Sequence, residues 1–245
     1  MATLPVLFPM FFITGLLIEL NLIKRKGAIL FSYFAGFPTS ARMISLLYSR
    51  GEITKTQATH MASFTSTVTP AFIILSMGLS MYGSVWLGIV VFASHVAGAM
   101  INAVIFAPRK KEIMLCVGGC TPRPVPRTPF HVAVGKSLRS SVKAIIKVGV
   151  IIALFYMISQ PFGVWVASVL EVTTGVYRAE GVTEGIWRAI IPTAILSFGG
   201  LSIAFQGNIF LKTFGMKMRY YFLYKAVQTL SAVMVCSLLC LFLII

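Results

Sequence analysis

Four long apolar stretches limit this chain to a membrane fold. Crossing the hydrocarbon core of a bilayer takes a helix of about 20 mostly apolar residues. The stretches that qualify are Leu4–Ile23, Val85–Ala107, Val142–Gln160 and Tyr220–Ile245. Hydrophobic residues make up 58 % of the chain and charged residues 11 %, whereas a soluble domain has roughly a quarter charged residues. We therefore predict an all-α integral membrane protein, a polytopic helical bundle, and exclude an ordinary soluble enzyme.

The basic residues behind the net charge of +15 lie mostly beside the apolar stretches. This charge comes from 21 Lys and Arg against six acidic residues, and no Lys or Arg lies between residues 56 and 108. The segment Arg109–Ser141 is basic and rich in proline, and the positive-inside rule places it in the cytoplasm. This loop divides the chain into two halves, residues 1–108 and 142–245. The charge thus indicates topology and an attraction to anionic lipid headgroups, and we expect no nucleic-acid partner.

Other apolar stretches are interrupted by residues that end helices. The interruptions are Gly36–Pro38 within residues 28–49, Ser63–Pro70 within residues 53–81, and Gly199–Gly200 after residues 186–198. Irregular backbone at membrane depth is tolerated only where protein or a wet cavity surrounds it. Such interruptions are also the best sequence indication of a transporter's binding site. We therefore predict two broken, re-entrant helical hairpins, one at the first interruption and one at the last.

The first and last interruptions lie in similar surroundings. Gly36 lies 15 residues before Gly51, and Gly200 lies 15 residues before Gly215, with a short apolar segment that ends in Glu upstream of each. We interpret them as two copies of one repeat, with Gly36 aligned to Gly200. Inverted copies are common in transporters, whereas the basic residues in 212–225 favour parallel copies, so the orientation stays open.

The interruptions supply the candidate binding residues. A half-helix that begins inside the membrane directs unpaired N–H groups and its positive dipole end towards the midplane. Thr39 and Ser40 are suited to cap such a half-helix over Ala41–Ser49. Arg42 could pair with a carboxylate or extend to the membrane surface. The predicted binding residues are Gly36, Pro38, Thr39, Ser40, Arg42, Ser66, Thr67, Gly199, Gly200, Ser202, Gln206 and Asn208. The alternative is a structural kink whose hydroxyl groups bond to the protein's own backbone.

Glu19 and Glu171 are the only acids in apolar segments. Intramembrane carboxylates are candidates for coupling transport to protons or cations, and the alternative is that each lies at a helix end in the interface. His and Cys residues lack the spacing of a metal site, and no phosphate-binding glycine loop or hydrolase constellation is present. We therefore expect no cofactor, no metal and no enzymatic activity.

These motifs resemble the Gate domain of nucleoside-transporter-like proteins. The segments that carry the likeness are Gly36–Arg42, Arg50–Thr54, Ser63–Ser66 with Pro70, Leu170–Gly175 and Ser197–Gln206. Within that group the chain is most similar to the YlbJ-type sporulation integral membrane proteins. The resemblance implies a transporter fold of two Gate halves in the cell membrane, and in the outer forespore membrane of a spore former.

The resemblance also implies a function. Relatives of this type are implicated in moving dipicolinate, a small aromatic dicarboxylate, into developing spores. We therefore expect a secondary or facilitative transporter of a small organic anion. The alternatives are a nucleoside transporter, which would need carboxylates or amides for the ribose hydroxyls, and a non-transporting membrane scaffold. The expected partners are the anion and the lipid bilayer, and a homo-oligomer is left open.

Overall fold

The computed structural model describes residues 3–23, 25–108 and 128–243. Across these ranges the regular structure is helical, and no strand occurs in them. The helices of the first half are α1 (Thr3–Glu19), α2 (Arg25–Ala35), α3 (Thr39–Ser49), α4 (Lys55–Thr65), the π-helix Ala71–Met81 and α5 (Val85–Ile105). Those of the second half are α6 (Phe130–Ser159), α7 (Val164–Leu170), α8 (Val172–Glu180), α9 (Trp187–Phe198), α10 (Gly200–Leu211), the 3₁₀ turn Lys212–Phe214 and α11 (Met218–Leu243).

Within the described ranges, four segments are long and apolar enough to cross a membrane. They are Val85–Ile105, Phe130–Ser159, Trp187–Phe214 and Met218–Phe242. Large apolar side chains are exposed along them, among them Val150 on α6 and Leu241 on α11, as expected of helices that contact lipid. The structure therefore confirms the predicted polytopic helical membrane protein. Trp187–Phe214 was not predicted as a span, because the two half-helices were each too short by themselves.

Two predicted boundaries are wrong. Helix α1 ends at Glu19 rather than Ile23, because Asn21 adopts a left-handed φ of 61°, and α1 is shorter than the four long segments. Helix α6 begins at Phe130, directly after Pro129, so residues 130–141 of the predicted basic loop are helical. Proline fixes φ and is tolerated at a helix start. Residues 109–127 of that loop lie outside the described residues.

The order of elements occurs twice. Each half begins with one helix, α1 or α6, and continues with a short pair, α2–α3 or α7–α8. An interrupted segment follows, α4 with the π-helix or α9–α10, and each half ends with a long helix, α5 or α11. In this order the break at Gly36–Pro38 corresponds to Glu171, and the break at Ser66–Thr69 corresponds to Gly199–Gly200. In the second half the short pair that corresponds to α2–α3 is α7–α8. Aligning Gly36 with Gly200 would instead match α2–α3 to α9–α10, the next pair along the chain. The glycine spacing on which that alignment rested does not reflect the element order.

Two apolar clusters form the core, and the breaks at Ser66–Thr69 and Gly199–Gly200 lie between them. Helix α4 contributes Met61 to the first cluster, and the π-helix contributes Met77 to the second. Along α11, Tyr221 belongs to the first cluster and Cys236 to the second. The residues between these positions include the Ser66–Thr69 break and the middle of α11. The polar segments therefore meet at the level where the two clusters join.

Helices α5 and α11 pack closely at that level. The cause is Gly98 on α5, where an added Cβ would lie 2.8 Å from the carbonyl oxygen of Gln228 and 2.8 Å from the Cβ of Ala232. A glycine in a membrane helix lets two backbones approach in this way. His95 on α5 and Lys225 on α11 are both buried near this contact.

Candidate functional site

The first two interruptions are in direct contact. The N–H of Phe37 donates a hydrogen bond of 2.7 Å to the carbonyl oxygen of Thr67. Gly36 has a φ of 63°, and an added Cβ would lie 2.4 Å from the side chain of Thr69. Glycine meets both demands because it has no side chain. The structure thereby brings together six of the predicted binding residues: Gly36, Pro38, Thr39, Ser40, Ser66 and Thr67.

Three hydroxyl groups at this contact are buried without a partner. Thr39, Ser40 and Thr67 are fully buried, and within the described chain their hydroxyl oxygens make no hydrogen bond. A buried hydroxyl without a partner costs about 1–3 kcal/mol. The alternative of a structural kink whose hydroxyls bond to the protein's own backbone therefore does not describe these three hydroxyls in the described chain. Ser66 does behave that way, since its hydroxyl donates to the carbonyl of Ala62 at 3.0 Å.

The predicted cap of the first half-helix is also wrong. Helix α3 begins at Thr39 rather than Ala41, its N-cap is Pro38, and no side chain caps it. The N–H groups of Ser40 and Arg42 donate to the carbonyl oxygens of Gly36 and Pro38. Those two donors are therefore already used, and the hydroxyl groups are the polar groups that this half-helix offers.

A buried lysine contacts the second of these two breaks. Lys225, which is 3 % exposed, donates to the carbonyl oxygen of Ser66 and, at 3.1 Å, to Oε1 of Gln228. Among the described residues no carboxylate forms an ion pair with it. A buried charge is costly unless it is compensated. We call Thr39, Ser40, Ser66, Thr67, Lys225 and Gln228 the central polar cluster, which contains one basic side chain and no acidic one.

His95 connects the central polar cluster to the second half. Its Nε2 lies 3.0 Å from the N–H of Val68, and its Nδ1 lies 2.9 Å from Oγ of Ser197. Because Nε2 accepts from a backbone N–H, Nδ1 carries the proton of the neutral ring and donates to Ser197. Ser197 comes two residues before Gly199. One imidazole ring thus joins the Ser66–Thr69 break to the Gly199–Gly200 break.

The predicted residues of the second half form a separate group. Gly199 and Gly200 have φ values of 81° and 65°, and a Cβ on Gly200 would lie 3.1 Å from the carbonyl oxygen of Val169. Gln206 donates from Nε2 to Oγ of Ser202 at 2.9 Å. Asn208 is half-buried two residues further along α10. These side chains lie on the α7 and α10 side of the break, and no hydrogen bond in the described structure joins them to Lys225.

Arg42 connects three helices instead of lining the break. It is 3 % exposed, and its charge faces protein partners. Its guanidinium donates to the carbonyl oxygen of Phe11 and to the hydroxyls of Ser140, at 2.8 Å, and Ser141, at 3.3 Å. These contacts link α3 to α1 and α6, which gives Arg42 a structural position.

Both candidate coupling carboxylates lie at helix ends. Oε2 of Glu19 lies 3.8 Å from Nη2 of Arg50. The other terminal nitrogen of Arg50, Nη1, donates to the carbonyl oxygen of Ile18. Glu171 caps α8, because its carboxylate accepts from the N–H groups of Thr173 at 3.1 Å and Thr174 at 2.6 Å. Both residues therefore have the helix-end position that was the alternative to a coupling role. In the described ranges no group of three or more His, Cys, Asp and Glu could hold a metal ion.

A relative among known proteins agrees with this architecture. The chain is 21 % identical to the sporulation integral membrane protein YlbJ of Bacillus subtilis (strain 168), over 298 aligned positions that cover 96 % of this chain and 73 % of that protein. The chain is therefore a distant homologue of that protein over most of its own length. This confirms the YlbJ-type resemblance, while its Gate-domain part stays a prediction. No protein-family model and no solved structure matches the chain.

No residue of α11 was among the binding residues predicted from the sequence. Tyr221, Lys225 and Gln228 follow the spacing of one helix face, and all three are buried. The hydroxyl of Tyr221 makes no hydrogen bond in the described chain, and its ring lies 6.3 Å from that of Phe37. A lysine on the same face as an amide, inside an apolar span, was the available signal. It was overlooked because Lys225 lies close to the start of the span, where a lysine usually reaches the interface.

Proposed function

We propose that this protein is a secondary or facilitative transporter of a small organic anion, which binds at the central polar cluster. The observation that carries the proposal is that the buried Lys225, without a carboxylate partner in the described chain, donates to the carbonyl oxygen of Ser66. The next residue, Thr67, has a buried hydroxyl without a hydrogen-bond partner, and its carbonyl contacts the break that precedes the unpartnered hydroxyls of Thr39 and Ser40. An anion would compensate the charge of Lys225. Its oxygens would also accept hydrogen bonds from Thr39, Ser40 and Thr67.

The energetic argument favours a ligand over a purely structural role. Each hydroxyl left unpaired in the core costs about 1–3 kcal/mol. Thr67 lies in the second break, and Thr39 and Ser40 begin the helix that follows the first. A structural kink would be more stable with valine or alanine at these positions. The cluster therefore has the composition of a site that is complete only when an anion occupies it.

A dicarboxylate is the first class of substrate to test. The YlbJ-type resemblance implies dipicolinate, and the name of the relative connects that protein to sporulation. A nucleoside transporter is less well supported, because the described carboxylates near the breaks are engaged at helix ends and Gln228 is the one amide in the cluster. Transport would proceed by alternating access around the interrupted helices.

Uptake into proteoliposomes tests the proposal. The full chain is reconstituted, and uptake of labelled dipicolinate is measured with succinate, benzoate and uridine as competitors. We expect the carboxylates to compete and uridine not to compete. The variant Lys225→Met should lose uptake at least tenfold, since a desolvated charge-assisted contact contributes about 1.5–3 kcal/mol.

Lys217→Met is the matched control, because Lys217 is exposed just before α11. It removes the same charge and should keep wild-type uptake. Gel filtration and helical circular dichroism show that each variant folds. Uptake by Lys225→Met at the wild-type rate, or no uptake of any of the carboxylates by the wild type, would overturn the proposal.

A further inference from the structure

One face of α6 changes from basic to apolar halfway along the helix. Its residues recur every three or four positions and so lie above one another. The basic half contains Lys136, Arg139, Lys143 and Lys147, and the apolar half continues with Val150, Leu154 and Met157. All seven side chains are exposed, and none of the four basic ones forms an ion pair in the described part of the chain.

A groove of about 460 Å³ runs beside the basic half. It lies between α6, α3 and α10, and Arg42 contributes to its lining together with the four basic residues of α6. Leu46, Ile209 and Phe210 supply apolar wall. Within the described ranges the lining holds no carboxylate. The groove therefore combines a concentrated positive charge with an apolar wall.

We infer that this groove binds the headgroup phosphate of an anionic phospholipid, whose acyl chains lie along the apolar half of the same face. Lys143 and Lys147 lie at the basic end of the apolar part of a candidate span, where lipid headgroups are expected. The helix rise places Met157 about 15 Å beyond Lys147, so the apolar half is long enough for an acyl chain to lie along it. A soluble anion would use the basic half but would make no contact with the apolar continuation.

Native mass spectrometry of the delipidated full chain in detergent tests the inference. The probes are phosphatidylglycerol and phosphatidylcholine with identical acyl chains. We expect the wild type to bind phosphatidylglycerol at least tenfold more tightly. In Lys143→Gln/Lys147→Gln, affinity for phosphatidylglycerol should fall about 30-fold, because each lysine near a lipid surface contributes about 1 kcal/mol. Affinity for phosphatidylcholine should stay unchanged.

The matched control is Lys212→Gln/Lys217→Gln, which removes the same charge from exposed residues outside the groove. It should bind both lipids as the wild type does. Equal loss in both double variants, or no preference of the wild type for phosphatidylglycerol, would overturn the inference. Glycerol 3-phosphate is the competing soluble anion. Displacement of the lipid by micromolar glycerol 3-phosphate would assign the groove to a soluble anion and also overturn it.

Discussion

The ammonium of Lys225 donates a hydrogen bond to the carbonyl oxygen of Ser66, a residue 159 positions earlier in the chain. This carbonyl is available because α4 ends at Thr65, and Ser66 has φ −78° and ψ 59°, outside the helical region. The last carbonyls of a helix have no partner within it. An interrupted helix thus provides the acceptor that a buried cation needs. A continuous helix across residues 55–81 would leave Lys225 without it.

Replacing Thr67 by valine separates binding from stability. The hydroxyl of Thr67 makes no hydrogen bond in the described chain, so Thr67→Val should leave the free energy of unfolding unchanged or raise it by about 1 kcal/mol. If the hydroxyl contacts the anion, the KM for anion uptake should rise about tenfold. Mixed-micelle denaturation and proteoliposome uptake measure the two effects.

Thr65→Val serves as the comparison for Thr67→Val. The hydroxyl of Thr65 is equally buried but donates to the carbonyl of Met61 at 2.9 Å within α4. We expect this variant to keep the wild-type KM. A stable Thr67→Val variant with unaltered uptake would remove Thr67 from the proposed binding site.

His95→Leu should destabilise the junction between the two halves. It removes the acceptor of the Val68 N–H and the partner of the Ser197 hydroxyl, and leaves both buried groups without a bond. We expect a loss of about 2–4 kcal/mol in the free energy of unfolding. Ser94→Ala is the control, since Ser94 donates only to Val90 in its own helix at 2.8 Å, and should lose less than about 1 kcal/mol. Equal effects of the two substitutions would contradict the bridging role of His95.

Gly207→Ala tests the contact between α10 and the first break. A Cβ at Gly207 would lie 2.2 Å from Cζ of Phe37, and overpacking of this kind costs about 1–3 kcal/mol. Phe37→Leu removes that atom, so the double variant should be more stable than the sum of the single losses predicts. Gly135→Ala, which meets open space on α6, should stabilise slightly through helix propensity. Additive losses in the double variant would show that the two residues do not touch.

Glu171→Gln distinguishes a helix cap from a coupling group. The carboxylate accepts two backbone N–H bonds, so the amide should cost about 1 kcal/mol of stability. We expect the pH dependence of uptake to match the wild type. Glu180→Gln, at the half-buried end of the same helix and 3.5 Å from Arg188, is the control; it should lose less than about 1 kcal/mol of stability and leave the pH dependence unchanged. Loss of the pH dependence in Glu171→Gln alone would instead identify Glu171 as the coupling carboxylate.

The membrane class and the position of the interruptions were predictable from the sequence. Apolar length determines which segments can enter a bilayer, so the span at Val85–Ala107 was predicted with its end only two residues off. The breaks at Gly36 and Gly199 were found because each ends a short apolar stretch with residues that disfavour helix. The repeat with Gly36 aligned to Gly200 stays a prediction, because the order of the helices allows another alignment. The start of α6 was missed, since Lys136, Arg139 and the serines at 137, 140 and 141 interrupt its apolar pattern.

The sequence by itself determined a polytopic helical membrane protein with interrupted helices and basic segments beside its spans, because these properties depend on local composition. Only the tertiary structure decided which polar residues share a site. Lys225 and Ser66 lie far apart in the chain, and their contact depends on the packing of α11 against α5, where Gly98 allows the close approach. The packing of α3 against α1 and α6 gave Arg42 its structural contacts, whereas Glu171 makes a local helix cap. Burial and partners arise from long-range packing, which no local pattern encodes.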